Sequence, residues 1–272
     1  MTYFEAFLYG AVQGLTEYLP VSSSAHLILL PKFLGTQDPG LSFDVFLHLG
    51  TLIATLVYFR REWMQLIQSV LRNSWAGQGN SFLNLVLVTS PAVVAGLLFR
   101  HVIENSLRTN LIQASALVVG GVALWLADRL SKNQSVGINL LNVTPLRSFS
   151  IGCFQVLALI PGMSRSGSTM MGGRALDLNR ETAAKFSFLA STPITAAALI
   201  HESMKWMKSF SDPMATQMPA DPITLVIGVV TSFVFGWLAI DRLLKFVGRA
   251  GFGVFAVYRV ILAVVVLMTL GR

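Results

Sequence analysis

One carboxylate, one imidazole, one guanidinium and a run of hydroxyls stand in two short polar stretches of an otherwise apolar chain. The first runs Gln13-Gly14-Leu15-Thr16-Glu17-Tyr18-Leu19-Pro20-Val21-Ser22-Ser23-Ser24-Ala25-His26. The second runs from Gln155 through Pro161-Gly162-Met163-Ser164-Arg165-Ser166-Gly167-Ser168-Thr169. Each places a Gln in an apolar run, then a proline, then small hydroxyl residues. Gln13 and Glu17 are four apart and share a helix face. Ser22 and Ser23 precede His26 by four and three residues, so a helix starting near Val21 makes a hydroxyl and the imidazole neighbours. A serine-capped helix start leaves free backbone N–H groups, a ready site for an anion. The second stretch repeats that device and adds Arg165, whose planar donor fork matches phosphate oxygens. Ser22, Ser24, Ser164, Ser166, Gly167, Ser168 and Thr169 are the candidate phosphate ligands. Glu17 and His26 bring acid–base or nucleophile-activating capacity beside them.

Blander roles compete for the same residues. Serines after a proline also serve as plain N-caps, a lone Glu as a hydrogen-bonded structural group, and His26 as a core histidine. Arg165 has glycines and hydroxyls around it in sequence and no adjacent acid, which favours anion binding. Gln13 is read as supporting Glu17. Arg259 lies inside the last apolar stretch and needs a partner there, so it is read as supporting the site. Asp44 and His48, four apart, are read as a structural pair near a membrane interface. His201 and Glu202 close a span and are read as solvated. No His or Cys spacing suits zinc. A Mg²⁺ or Ca²⁺ ion on Glu17 and a substrate phosphate would leave little sequence trace, and is kept as an expectation.

The elements that must position these groups are transmembrane helices. Hydrophobic residues make up 54% of the chain and charged ones 12%, against roughly 25% charged in average soluble proteins. Apolar stretches near 42–59, 82–99, 111–130, 186–203, 222–241 and 252–270 have the length to cross a bilayer. They divide three and three around the second polar stretch. An odd number of crossings turns the second stretch upside down relative to the first, the pattern of an inverted-topology repeat. The prolines break two helices too short to cross, so both polar stretches are expected to be re-entrant hairpins that meet near the midplane. The expected fold is therefore an all-α polytopic membrane protein. It is one domain over 1–272, with repeat halves of about 1–131 and 148–272, about six crossings and two hairpins.

The net charge of +7 does not point to nucleic acid, because Lys and Arg gather at the ends of apolar stretches. Under this topology twelve fall on one side and six on the other, with Arg165 and Arg259 inside. The richer side is expected to be cytoplasmic, so both termini and the first hairpin's mouth face outward. The N-terminus lacks a basic leader and does not read as a cleavable signal. The single cysteine, Cys153, forms no internal disulfide. Gly120-Gly121 and Gly172-Gly173 offer small faces for tight packing within the chain or in a homodimer.

The two polar stretches, with Phe186-Ser187-Phe188-Leu189 and Phe255-Ala256-Val257-Tyr258-Arg259, resemble the bacterial undecaprenyl-diphosphatases of the bacitracin-resistance type over the whole chain. That resemblance implies hydrolysis of a C55-isoprenyl diphosphate lipid to its monophosphate in the bacterial cytoplasmic (inner) membrane. Such recycling supplies the carrier for peptidoglycan and other envelope polymers, supports cell shape and confers bacitracin resistance. The family's acidic motif falls on Gln13 and Glu17, its serine motif on Ser22, Ser23, Ser24 and His26, and its Arg loop on Ser164, Arg165 and Ser166. With Gln at 13, only one carboxylate remains for a metal clamp. The expected mechanism has Ser23 as nucleophile, His26 activating it or protonating the leaving oxygen, Glu17 orienting His26 or holding the cation, and Arg165 stabilising the phosphoryl group. Ser22 and water are the competing nucleophiles. A membrane acid-phosphatase would want a His where Met171 stands. A lipid-phosphate transporter shares the architecture but has less use for a carboxylate beside its anion.

Overall fold

The computed structural model describes residues 1–71, 81–107, 109–132, 143–209 and 221–270, and these described residues form twelve α-helices. The first hairpin is α1 (Tyr3–Tyr18) and α2 (Ser23–Leu34); α3 (Leu41–Tyr58), α4 (Arg60–Leu71), α5 (Ser81–Leu98), α6 (Arg100–Ser106) and α7 (Asn110–Leu130) follow. The second hairpin is α8 (Pro145–Val156), extended by a 3₁₀ turn (Leu157–Leu159), and α9 (Arg165–Ala175). Then come α10 (Arg180–Ser209), α11 (Pro222–Ala250) and α12 (Gly253–Leu270). Among the described residues five helices, α3, α7, α10, α11 and α12, are long and apolar enough to cross a membrane. The protein is thus a multi-pass membrane protein. The sixth expected crossing, 82–99, falls on α5, an 18-residue helix that carries Pro91 and whose apolar part includes Phe82–Leu98.

At 1.5 Å per residue, the 16 residues of α1 span about 24 Å and the 12 of α8 about 18 Å, short of the roughly 30 Å of a hydrocarbon core. Each hairpin packs into the other half of the chain: α1 lies along α11, and α8 lies along α5. Small residues allow the approach. A Cβ on Gly14 would sit 2.6 Å from the Ser232 carbonyl oxygen and 2.7 Å from the Gly236 nitrogen. On the α5–α8 seam, Pro91 cannot donate to Leu87, and the Ser90 hydroxyl takes that carbonyl at 3.3 Å instead. Gln155 Nε2 donates to the neighbouring Val88 carbonyl at 3.1 Å. The glycine pairs at 120–121 and 172–173 are used inside the chain, against α12 and against Phe154 and Ala183.

Two buried arginines fix the frame. Arg174 Nε donates to Asp128 Oδ1 at 2.7 Å, Arg180 Nε reaches the same oxygen at 2.9 Å, and the Phe252 N–H donates to Oδ2 at 3.3 Å. One carboxylate therefore gathers the ends of α7, α9, α10 and α12. Arg259, 0% exposed, has carbonyl oxygens as its partners: Leu117 (2.9 Å), Ala116 (3.1 Å), Gly162 (3.0 Å), Met163 (2.9 Å) and Pro20 (3.4 Å). Its guanidinium ties both hairpin tips to α7. Glu202, expected to be solvated, is buried and accepts the Ser42 hydroxyl, joining α10 to α3.

Candidate active site

Proline sets the local geometry of both hairpin tips. A residue before proline is pushed out of the helical region, and Leu19 (ψ 140°) and Ile160 (ψ 118°) are both extended. Two to three residues after the proline the backbone turns at a serine with positive φ, 69° at Ser22 and 68° at Ser164. Such a conformation costs about 1–3 kcal/mol away from glycine, and persists where the surroundings fix it. Here the fixing groups are Arg259 on the carbonyls of Pro20, Gly162 and Met163, and Ser166 Oγ, which donates to Leu19 O at 3.0 Å. Gly162 has φ 93°, and a Cβ there would run into the Gln113 backbone. The hydroxyls repeat as well: Ser22 and Ser24 are 3.1 Å apart, as are Ser164 and Ser166. Helix α2 begins at Ser23 rather than near Val21, and α9 at Arg165. Ser164 is a true cap, accepting the Gly167 N–H at 3.2 Å, whereas the Ser22 side chain caps nothing.

These two helix starts border a cavity of about 280 Å³. Its polar lining is Glu17, Ser22, Ser23, Ser24, His48, Ser164, Arg165, Ser166 and Thr195; Val45, Ala158, Ile160, Ile194 and Ala198 contribute apolar wall. Glu17, its side chain 6% exposed, is the hub. Its Oε1 pairs with Arg165 Nη2. Its Oε2 accepts Gln13 Nε2 at 3.0 Å and Ser23 Oγ at 2.7 Å, and lies 3.5 Å from His48 Nε2. Arg165 Nη1 donates to Ser191 O (3.0 Å) and Thr195 Oγ1 (2.6 Å), so α10 aims the guanidinium. Acid and base come from opposite halves of the chain. Two helix N-termini, one guanidinium and a ring of hydroxyls give the cavity the kinds of donor that an anion needs, and the Ser23 hydroxyl donates to a carboxylate that can take its proton.

Some expected site residues lie elsewhere. His26 faces away: its Nδ1 donates to the Ser22 carbonyl at 2.8 Å, and Nε2 meets the Tyr258 hydroxyl at 2.7 Å under a ring stacked at 9°. Glu17 therefore has His48, not His26, as its imidazole neighbour. Gly167, Ser168 and Thr169 are buried behind the cavity, Gly167 against Arg259 and Thr169 bonded to Arg165 O at 2.9 Å and to Ser187. Gln13 and Arg259 support the lining from behind. Missed by sequence reasoning were His48 and Thr195, and the acid beside Arg165, which is 148 residues away.

The donor set does not suit a divalent cation on Glu17. Both of its oxygens are committed, one of them to a guanidinium cation, and among the described residues no three His, Cys, Asp or Glu side chains gather in one place. Oxygen-loving cations need several free ligands.

The bacitracin resistance protein BacA family model matches residues 6–265. The undecaprenyl-diphosphatase of Gemmatimonas aurantiaca is 46% identical, the alignment covering 99% of this chain and 98% of that protein. Those of Desulforudis audaxviator (43%, covering 98% of each chain) and Elusimicrobium minutum (42%, covering 99% of this chain and 98% of the other) are similar in the same way. A match of that extent, with the two polar stretches facing each other across one cavity, places this chain in the BacA bacitracin resistance family.

Proposed function

We propose that this protein is an undecaprenyl-diphosphatase, hydrolysing the C55-isoprenyl diphosphate to its monophosphate and inorganic phosphate. What carries the proposal is the Glu17 carboxylate, which accepts the Ser23 hydroxyl with one oxygen and pairs with Arg165 through the other. The terminal phosphoryl group sits between the N-termini of α2 and α9, its charge met by Arg165, free N–H groups and the hydroxyls of Ser22, Ser24, Ser164 and Ser166. Ser23 Oγ attacks the phosphorus as its proton passes to Glu17. The bond from that phosphorus to the bridging oxygen breaks, and the lipid monophosphate leaves with the proton handed on by Glu17. Water then gives a proton to the freed carboxylate and its oxygen to the phosphorus, the bond to Ser23 Oγ breaks, and Glu17 returns the proton to that oxygen as phosphate leaves. Arg259, through Pro20, Gly162 and Met163, keeps the two tips at a fixed separation, which such in-line transfer needs.

The finer setting belongs to the same proposal. The protein lies in the bacterial cytoplasmic (inner) membrane as one domain with repeat halves of about 1–131 and 148–272, its cavity open to the periplasmic or external side. The exchange of hairpins between the halves supports the repeat, and the bias of Lys and Arg supports the orientation.

The test is phosphate release from C55-isoprenyl diphosphate in detergent. Arg165→Ala and Glu17→Ala are each expected to lower kcat at least ~100-fold, as removal of an electrostatic partner of a transition state does. A parallel arm with EDTA reads the cation expectation. Wild-type protein that binds the lipid but releases no phosphate would overturn the hydrolase and favour a carrier.

A further inference from the structure

The carboxylate of Glu17 is held in an arrangement that its strongest partner alone would not choose. An Arg fork prefers to grip both oxygens of a carboxylate, yet Arg165 takes Oε1 alone and spends Nη1 on Ser191 and Thr195. Oε2 is thereby left for Ser23. His48 stands beside that oxygen. Its Nδ1 lies 2.8 Å from the Asp44 carbonyl, one turn back on α3. A carbonyl and a carboxylate only accept, so both ring nitrogens carry protons: as an imidazolium, His48 donates from Nδ1 to the Asp44 carbonyl, which pins the ring, and turns its Nε2–H edge to Glu17 Oε2 at 3.5 Å on the cavity wall. Helix α3 is itself fixed to the far half, since Ser232 Oγ donates to Leu47 O at 2.9 Å. Turning the carboxylate so that both oxygens meet Arg165 would take Oε2 away from Ser23.

We infer that His48 is a positioning residue for the reaction: its Nε2 edge holds the Glu17 carboxylate with one oxygen on Ser23 and the other on Arg165. This role rests on the diphosphatase proposal, because it matters only where Ser23 must surrender a proton. Glutamine can place an amide N–H near the Nε2 position, whereas methionine fills similar space with no donor.

The test is kcat and KM for phosphate release from the C55 diphosphate in detergent by wild type, His48→Ala, His48→Gln and His48→Met, with thermal unfolding as the check on folding. Misplacing a reacting group by about 1 Å costs up to ~100-fold, so His48→Ala is expected to lower kcat ~10- to 100-fold with KM within about twofold. His48→Gln is expected to recover most of that loss, and His48→Met to stay as low as the alanine variant. Wild-type kcat in His48→Ala, recovery by Met equal to that by Gln, no recovery by Gln, or a loss confined to KM would each overturn the role. Wild-type protein that holds the lipid without releasing phosphate would overturn the diphosphatase proposal and this one with it. Release by the wild type with an unaffected alanine variant would overturn this one alone.

Discussion

Ser22, Ser23 and Ser24 line the same cavity, but only Ser23 hands its hydroxyl to a carboxylate, at 2.7 Å from Glu17. Ser23→Ala should therefore abolish multiple turnover, falling at least ~1000-fold as loss of a nucleophile does, while Ser22→Ala and Ser24→Ala lose one phosphate contact each and fall ~10-fold. Phosphate-release kinetics on the three variants separate these outcomes; equal losses would remove Ser23's special place. Glu17, the serine run and Arg165 were legible in sequence because proline, small residues and charge coincide in an apolar setting. His48 was not, because its partner lies on another helix and nothing local distinguishes it from a structural polar residue. His26 has the four-residue spacing expected, but its ring caught the carbonyl of Ser22 rather than the hydroxyl, a choice spacing cannot decide. Arg259→Lys retains charge, yet one ammonium cannot serve five carbonyls; activity should fall at least ~100-fold with KM and kcat both altered.

Helix contacts decide how firmly the hairpins are held. No hydrophobic drive separates helix from lipid inside a bilayer, so close packing must do that work. Gly14→Leu puts a side chain where the backbone of α11 already stands. The expected result is a loss of about 1–3 kcal/mol or more, read as a lower unfolding midpoint in detergent. Asp128→Asn keeps the shape but leaves Arg174 and Arg180 without their shared carboxylate. Uncompensated buried charge costs about 3–5 kcal/mol, so this variant should unfold earlier while its KM stays near wild type. Five of the six expected crossings were legible from apolar length. Helices α4 and α6 were not, since neither offers a long apolar run; the sixth expected crossing falls on α5, whose Pro91 was visible in the sequence.

For the whole molecule, the orientation drawn from Lys and Arg can be checked with a single cysteine. Gln37 is exposed in the connection after α2, and Cys153 is exposed and free. In a Cys153→Ser background, Gln37→Cys should react with a membrane-impermeant maleimide added to intact cells after outer-membrane permeabilisation. Labelling only after lysis would reverse the orientation. The exchange of hairpins between halves has a further consequence in time. Helix α1 finds its main neighbour, α11, roughly 200 residues later in the chain. At a ribosome's ~5–20 residues per second, the first hairpin waits about 10–40 s in the translocation machinery or the lipid with its glycine seam uncovered and Glu17 without Arg165. Nascent chains halted before α11 should therefore be targets for membrane quality control, and the Glu17 carboxylate gains its guanidinium partner only once the second hairpin has been made.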